Sequence, residues 1–138
     1  MNEKALRVRD FMTTDPLSIT PETEIMRAVH LIVSEDISGL PVVDERGMLV
    51  GILTERDCIE VALQAGYFDE LGGRVEKYMT SPVETAEPDS SLMDLAELFA
   101  RSPFRRCPVI EEGKLVGLIC RRDILSALSS GAWFPNRP

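Results

Sequence analysis

The sequence predicts an α+β fold made twice over. Two strand–helix–strand–strand–helix (β-α-β-β-α) repeats are expected to pack sheet to sheet about a pseudo-twofold axis. Three observations predict it. Val8-Arg9-Asp10-Phe11-Met12-Thr13 returns 67 positions later as Val75-Glu76-Lys77-Tyr78-Met79-Thr80, and the same offset relates Pro21 to Pro88, Ile25 to Leu92, Leu31 to Leu98 and Pro41 to Pro108. Within each copy a helical apolar period gives way to short β-branched runs. A copy of roughly 55 residues also has too little interior to be secure by itself, so the two must share a core.

The elements follow in order. Leu17-Ser18-Ile19 and Val83-Glu84-Thr85 read as short extended pieces before a proline-led helix start. Thr20 before Pro21 suits an N-cap with proline at the first helical position, and Glu87-Pro88 or Asp89 takes that part in the second copy. Ile25, Ala28, Val29 and Ile32 fall on one helical face, repeated by Leu92, Leu95, Ala96 and Phe99. Two strands then pair across a turn, Pro41-Val42-Val43 with 48–53 and Pro108-Val109-Ile110 with 115–119. The turn is Asp44-Glu45-Arg46-Gly47 in the first copy and Glu111-Glu112-Gly113 in the second, so the offset falls to 66 beyond it. A second helix is expected to turn Ile59, Ala62 and Leu63, or Ile124, Ala127 and Leu128, inward. The repeats therefore run over 8–64 and 75–129, with a glycine-bearing linker at 65–74 and a tail at 130–138. The tail is expected to end outside the core, with docking of Trp133 and Phe134 as the alternative.

Composition narrows the function. Fifteen basic against 23 acidic residues give a net charge of −8, which argues against general nucleic-acid binding. No apolar run is long enough to span a bilayer, and Met1-Asn2-Glu3-Lys4-Ala5-Leu6-Arg7 does not read as a secretory signal. Three cysteines (Cys58, Cys107, Cys120) in apolar contexts form no CxxC pair and fit a reducing cytoplasm. The single histidine, His30, excludes a histidine-rich metal site and reads as structural or surface.

The stretches that carry chemistry are Gly51-Ile52-Leu53-Thr54-Glu55-Arg56-Asp57 and Gly117-Leu118-Ile119-Cys120-Arg121-Arg122-Asp123, each an apolar strand running into an acidic helix start. Thr54-x-x-Asp57 is a capping-box pattern that needs no ligand. A carboxylate at a helix start also accepts two vicinal hydroxyls well, and the N–H groups beside it attract phosphate. Cys120 makes the reciprocal cap poorly, yet Asp123 is present, which favours a role for the aspartate beyond the cap.

Met12-Thr13-Thr14-Asp15-Pro16 and Met79-Thr80-Ser81-Pro82, Gly39-Leu40-Pro41-Val42-Val43 and Arg106-Cys107-Pro108-Val109-Ile110, and the two Gly-to-Asp stretches recur in the same order over nearly the whole chain. In this the chain resembles the tandem cystathionine-β-synthase (CBS) domain pair, or Bateman module. The resemblance implies β-α-β-β-α repeats, a disc-like homodimer, and AMP, ADP, ATP or S-adenosylmethionine as regulatory ligand in clefts between the repeats. It implies that the aspartate bonds ribose hydroxyls, that the Ser or Thr three residues earlier meets phosphate, and that the Pro-Val strand encloses adenine. Carried over, the first cleft uses Thr20, Leu40, Pro41, Thr54, Arg56 and Asp57, and the second uses Arg105, Arg106, Pro108, Arg122 and Asp123. Cys120 stands in the second where the first has Thr54, so the hydroxyl contact is missing there.

Charge separates the two sites. Residues 101–123 carry six basic groups against three acids, whereas the matched window 34–57 carries two against six. Arg105-Arg106 and Arg121-Arg122 are expected to point toward one cleft mouth, where each charged hydrogen bond to phosphate is worth about 1.5–3 kcal/mol. The second cleft is therefore the expected principal phosphate site, with Cys120 made reactive by its arginines. The leading reading is a stand-alone regulatory module that senses an adenine nucleotide and signals to a protein target. A structural dimerisation scaffold with empty clefts is the alternative. An enzyme is disfavoured, because no catalytic constellation is present in the sequence.

Overall fold

The structure is a computed structural model and describes residues 6–68 and 72–133. After a 3-10 turn at Val8–Asp10, the elements in chain order are β1 (Thr13–Thr14), α1 (Ile25–Ser34), β2 (Gly39–Val43), β3 (Leu49–Thr54), α2 (Glu55–Phe68), α3 (Val75–Tyr78), α4 (Leu92–Arg101), β4 (Arg106–Glu111), β5 (Lys114–Cys120) and α5 (Arg121–Ser129). This is the α+β class that the sequence predicts. It falls into two compact units: one is Leu17–Val83, and the other joins the chain up to Pro16 to the chain from Glu84 onward. Repeat and compact unit are thus different divisions of the chain, because each repeat's opening segment folds into the unit of the other repeat.

In the Leu17–Val83 unit, β2 and β3 pair antiparallel with Leu40 opposite Leu53 and Pro41 opposite Ile52. The extended piece expected at Leu17-Ser18-Ile19 contributes one parallel bridge, Ile19 to Val42. On the far edge Thr80 bridges Ile52, with N–H···O bonds of 3.0 and 2.8 Å in the two directions. The second unit repeats this plan. β4 and β5 pair with Pro108 opposite Leu118, Ala86 bridges Val109, and β1 covers the outer edge of β5 with Thr13 opposite Leu118. Each sheet edge is thereby covered at these points, where its N–H and C=O groups find partners within the chain.

Two glycines permit that cover. A Cβ on Gly51 would stand 2.8 Å from Met79 Sδ and 3.1 Å from Thr80 O; on Gly117 it would stand 2.6 Å from Met12 Sδ and 3.1 Å from Thr13 O. The glycine opening each Gly-to-Asp stretch is therefore the place where a Met-Thr segment crosses the strand.

Both helix starts differ from expectation. Thr20 does not cap α1; it closes a turn in which Thr23 N–H donates to Thr20 O, and its hydroxyl lies 3.0 Å from that of Thr23. The helix begins later, capped by Glu24, whose carboxylate accepts from the N–H groups of Met26 and Arg27. Ser91, not Glu87 or Asp89, caps α4 by accepting from Asp94 N–H. The delay has a reason: Ile25 N–H donates to Gly73 O and Leu92 N–H to Leu6 O, so the chain before each helix is held extended against another segment. Val8 and Val75, at matched places in the two openings, are fully buried in the cores that those segments complete.

The second helix of each repeat buries less than expected. Ile59 is 60% exposed, Leu63 41% and Leu128 47%, and Ala62 is exposed as well. Val61 faces the core with Cys58 beside it, and in α5 Ala127 is fully buried with Ile124 packed against the core. Apolar residues occupy a wide arc of α2, and the short sheet beneath it has room for only part of that arc. The 65–74 segment is not free linker throughout, since α2 runs to Phe68 and Arg74 bridges Glu24. Trp133 packs on the second unit's core, and its N–H lies 3.4 Å from Ala127 O, so the tail is anchored this far; Phe134 lies outside the described residues.

Candidate functional site

The two Gly-to-Asp stretches each end a strand and begin a helix, which brings an aspartate back onto the last strand residue. In the Leu17–Val83 unit, Asp57 Oδ2 accepts Thr54 N–H at 2.9 Å while Asp57 N–H reaches Thr54 Oγ1 at 3.2 Å. This is the reciprocal capping box of the sequence reading. A third partner was not legible there. The Thr80 hydroxyl donates to Oδ1 at 3.0 Å and Oδ2 at 3.1 Å, and so lies across the carboxylate edge. Only the crossing of the Met79-Thr80 segment over β3 puts it in reach.

In the second unit Asp123 Oδ2 accepts Cys120 N–H at 2.8 Å and the Cys120 thiol at 3.3 Å. The Asp123 N–H reaches back to the Cys120 side chain. The capping box therefore closes in both copies, including the one where cysteine is expected to make it poorly. Sulfur is larger than oxygen and spans the same gap with a weaker bond. The cap accounts for Asp123 Oδ2, so the presence of the aspartate is by itself no sign of a ligand. Among the described residues, no donor from the crossing segment Thr13–Thr14 bonds Asp123, unlike Thr80 on Asp57.

Cys120 is also less reactive than its arginine neighbours suggest. Burial first, and the Asp123 carboxylate second, push its thiol up from the usual range. The carboxylate is in direct contact with the thiol, and with burial it outweighs the arginine neighbours. Burial likewise raises Cys58, next to Asp57 and Glu55, and takes Cys107 up to about 12.

The basic residues meet at one end of β4 and β5. Arg106 is paired with Cys120 across the ladder, and Arg121 N–H donates to Arg105 O at 3.1 Å. Arg105 and Arg122 are exposed and Arg106 is half-buried. Arg121 departs from the expectation of a common direction: its Nη2 donates to Ser102 O and Pro103 O at 3.3 and 3.5 Å, where α4 ends. Successive helix residues point about 100° apart, and Arg121 is engaged at the end of α4 while Arg122 is exposed. In the Leu17–Val83 unit Arg56 and Thr20 are exposed, while Thr54 and Asp57 are half-buried. Leu40, Pro41 and Pro108 are fully buried. Pro41 O and Pro108 O accept from Ile19 N–H and Ala86 N–H at 3.0 Å each, so their strands are bonded before any ligand arrives. Among the described residues no group of His, Cys, Asp or Glu side chains is placed to hold a metal ion, and no helix is long and apolar enough to cross a membrane.

A duplicated α+β chain with a carboxylate returned to each strand end is the class that fold and site define. The chain belongs to the CBS domain family, whose model matches residues 8–64 and 75–130. It is 32% identical over 134 residues to the CBS domain-containing protein YhcV of Bacillus subtilis, covering 94% of this chain and 93% of that one. Longer relatives match in part. Over 89% of this chain it is 32% identical to protein MJ1225 of Methanocaldococcus jannaschii and to the inosine-5'-monophosphate dehydrogenase of Aquifex aeolicus, of which it spans 43% and 24%. Among solved structures, CBSX2 of Arabidopsis thaliana in complex with AMP superposes with a TM-score of 0.81 at 31% identity, covering 90% of this chain and 96% of that one. The CBS domain pair of protein MJ0100, in complex with 5'-methylthioadenosine and S-adenosylmethionine, gives 0.77 at 27% identity, covering 89% and 99%.

Proposed function

We propose that the chain is a stand-alone regulatory module, not an enzyme, that binds an adenosine-containing ligand (AMP, ADP, ATP or S-adenosylmethionine) and passes its occupancy to a protein target. The observation that carries this reading is the twofold occurrence of a half-buried carboxylate at a helix start with exposed arginine beside it: Asp57 with Arg56, and Asp123 with Arg122 and Arg105. Such a pair suits a ribose diol on the carboxylate and phosphate on the guanidinium and the helix N–H groups. The AMP bound by CBSX2 and the S-adenosylmethionine bound by MJ0100 support the same ligand class.

The two sites are unequal in this reading. At Asp57 a ribose must displace the Thr80 hydroxyl from both carboxylate oxygens. At Asp123, among the described residues, it meets a carboxylate bonded through Cys120, with Arg106 on the neighbouring strand. The Asp123 site is thus the principal phosphate site. Thermal unfolding against AMP, ADP, ATP and S-adenosylmethionine tests the class, since ligand at 100 times Kd adds about 2.7 kcal/mol. No stabilisation by any of the four would leave the scaffold reading. Calorimetry with Asp57→Asn and Asp123→Asn, which keep a cap acceptor, tests the order; a greater loss of AMP affinity in Asp57→Asn would reverse it.

The signal in this proposal passes through a homodimer. Exposed Ile59 and Leu63 on α2 and Leu125 and Leu128 on α5 supply apolar surface for self-association.

A further inference from the structure

The Met-Thr segment that crosses each Gly-to-Asp strand is fastened differently in the two units. Over β5 the fastening is a ladder of backbone pairs, Thr13 with Leu118 and Thr14 with Gly117. Over β3 it is a lone bridge between Thr80 and Ile52, in which Ile52 N–H donates to Thr80 O at 3.0 Å and Thr80 N–H to Ile52 O at 2.8 Å. To that bridge the Leu17–Val83 unit adds a side-chain tie, the Thr80 hydroxyl on both oxygens of Asp57 at 3.0 and 3.1 Å. Thr13, at the matched place, makes no such bond to Asp123 among the described residues.

The tie is open to competition. Thr80 is exposed and Asp57 half-buried, so another donor can reach the carboxylate edge that the hydroxyl spans. One hydroxyl brings a single proton to two acceptors, whereas a vicinal diol brings two protons. A diol can therefore replace the tie and add one more charge-assisted bond. The crossing segment has no such replacement. Once its hydroxyl is displaced, the backbone bridge to Ile52 is left to hold it, close before Val83, where the chain leaves this unit.

We propose that Thr80 is a latch on the Asp57 site. Its hydroxyl occupies the carboxylate edge until a ribose diol displaces it, and that displacement loosens the crossing of β3 by Met79-Thr80. The inference rests on the ligand reading above. It adds a residue that sets the affinity of one site and a movement that reports its occupancy. Because the latched state does not bind, the apparent affinity falls in proportion to the fraction of open latch. Ligand in turn draws the latch open, since it binds that state alone. The Asp123 site has no counterpart, and the ladder over β5 stays closed when it fills. The two sites thus differ in what their occupancy does to the chain.

Calorimetry and amide hydrogen exchange on the full chain test it, with the second site weakened by Asp123→Asn and with AMP, ATP and S-adenosylmethionine as probes. Thr80→Val keeps the branched shape without the hydroxyl and should tighten binding at Asp57 by about tenfold. Thr80→Ser keeps a hydroxyl and should stay within about threefold of the parent. Without ligand, Thr80→Val should speed exchange of the Ile52 N–H by about tenfold, because the bridge opens more often. Saturating ligand should speed that exchange in the parent and leave it unchanged in Thr80→Val. Bound ligand ordinarily slows exchange, so acceleration on binding is not expected of a threonine that only supports the fold. Weaker binding by Thr80→Val would make the hydroxyl a ligand contact, and unchanged binding would mean that it does not compete; either overturns the latch and leaves the ligand reading in place. An Ile52 N–H indifferent to both ligand and substitution would do the same. No binding of any probe by the parent or by either variant would overturn both.

Discussion

At the scale of single residues, the thiols illustrate how a neighbour outweighs a sequence context. Cys120 lies between strand and arginines in the sequence, which suggests an activated thiol, yet its contact is with Asp123 and its pKa rises. Cys107 is fully buried, and burial followed by Glu84 takes it up to about 12. An unfolded cysteine ionises near about 8.5. As pH rises past that value the unfolded chain loses its proton while the folded chain keeps it, so stability is complete below pH 8.5 and falls above it. The slope reaches about 1.4 kcal/mol per pH unit before levelling off near the folded value. Urea unfolding at pH 7 and pH 10 should therefore show a smaller loss for Cys107→Ala than for wild type; equal losses would mean that Cys107 does not titrate this way.

At the scale of elements, the Gly-to-Asp stretch contains more than a cap. Its glycine sits under a crossing segment, and its aspartate receives that segment's threonine in one unit. Gly51→Ala must push Thr80 O away from a Cβ at 3.1 Å; Met79 can swing aside, but a carbonyl bonded to Ile52 cannot. The expected cost is about 1–3 kcal/mol. Gly66, inside α2 with nothing within 4 Å of its Cβ position, makes the contrast: Gly66→Ala should stabilise by about 0.5–1 kcal/mol. Chemical denaturation of both variants checks the pair, and a neutral Gly51→Ala would show that the crossing is loose.

For the whole molecule, the consequence of the exchanged openings is that sequence neighbourhood and cooperative unit part company. Val8 belongs by sequence to the first repeat and by packing to the core of Leu92, Phe99, Val109 and Ile119. Val8→Ala should cost about 1–3 kcal/mol. Hydrogen exchange should report the loss of protection in α4, β4 and β5 while α1, β2 and β3 keep theirs. The reverse distribution would place the opening with its own repeat.

The sequence by itself determined the duplication, the hairpins with their one-residue difference, the apolar face of α1 and α4, and the capping aspartates. Each of these is written in local period and local bonding, which a chain carries wherever it goes. Tertiary structure alone decided which sheet edge an opening segment covers, because a loop can reach more than one edge and only packing of Val8 and Val75 chooses between them. It also decided which arc of α2 is buried, since an apolar arc wider than its sheet leaves the choice to the neighbouring surface. Thr80 on Asp57 and the raised thiol of Cys120 belong with these: both depend on atoms brought together across the fold or into its interior, and no spacing in the sequence encodes them.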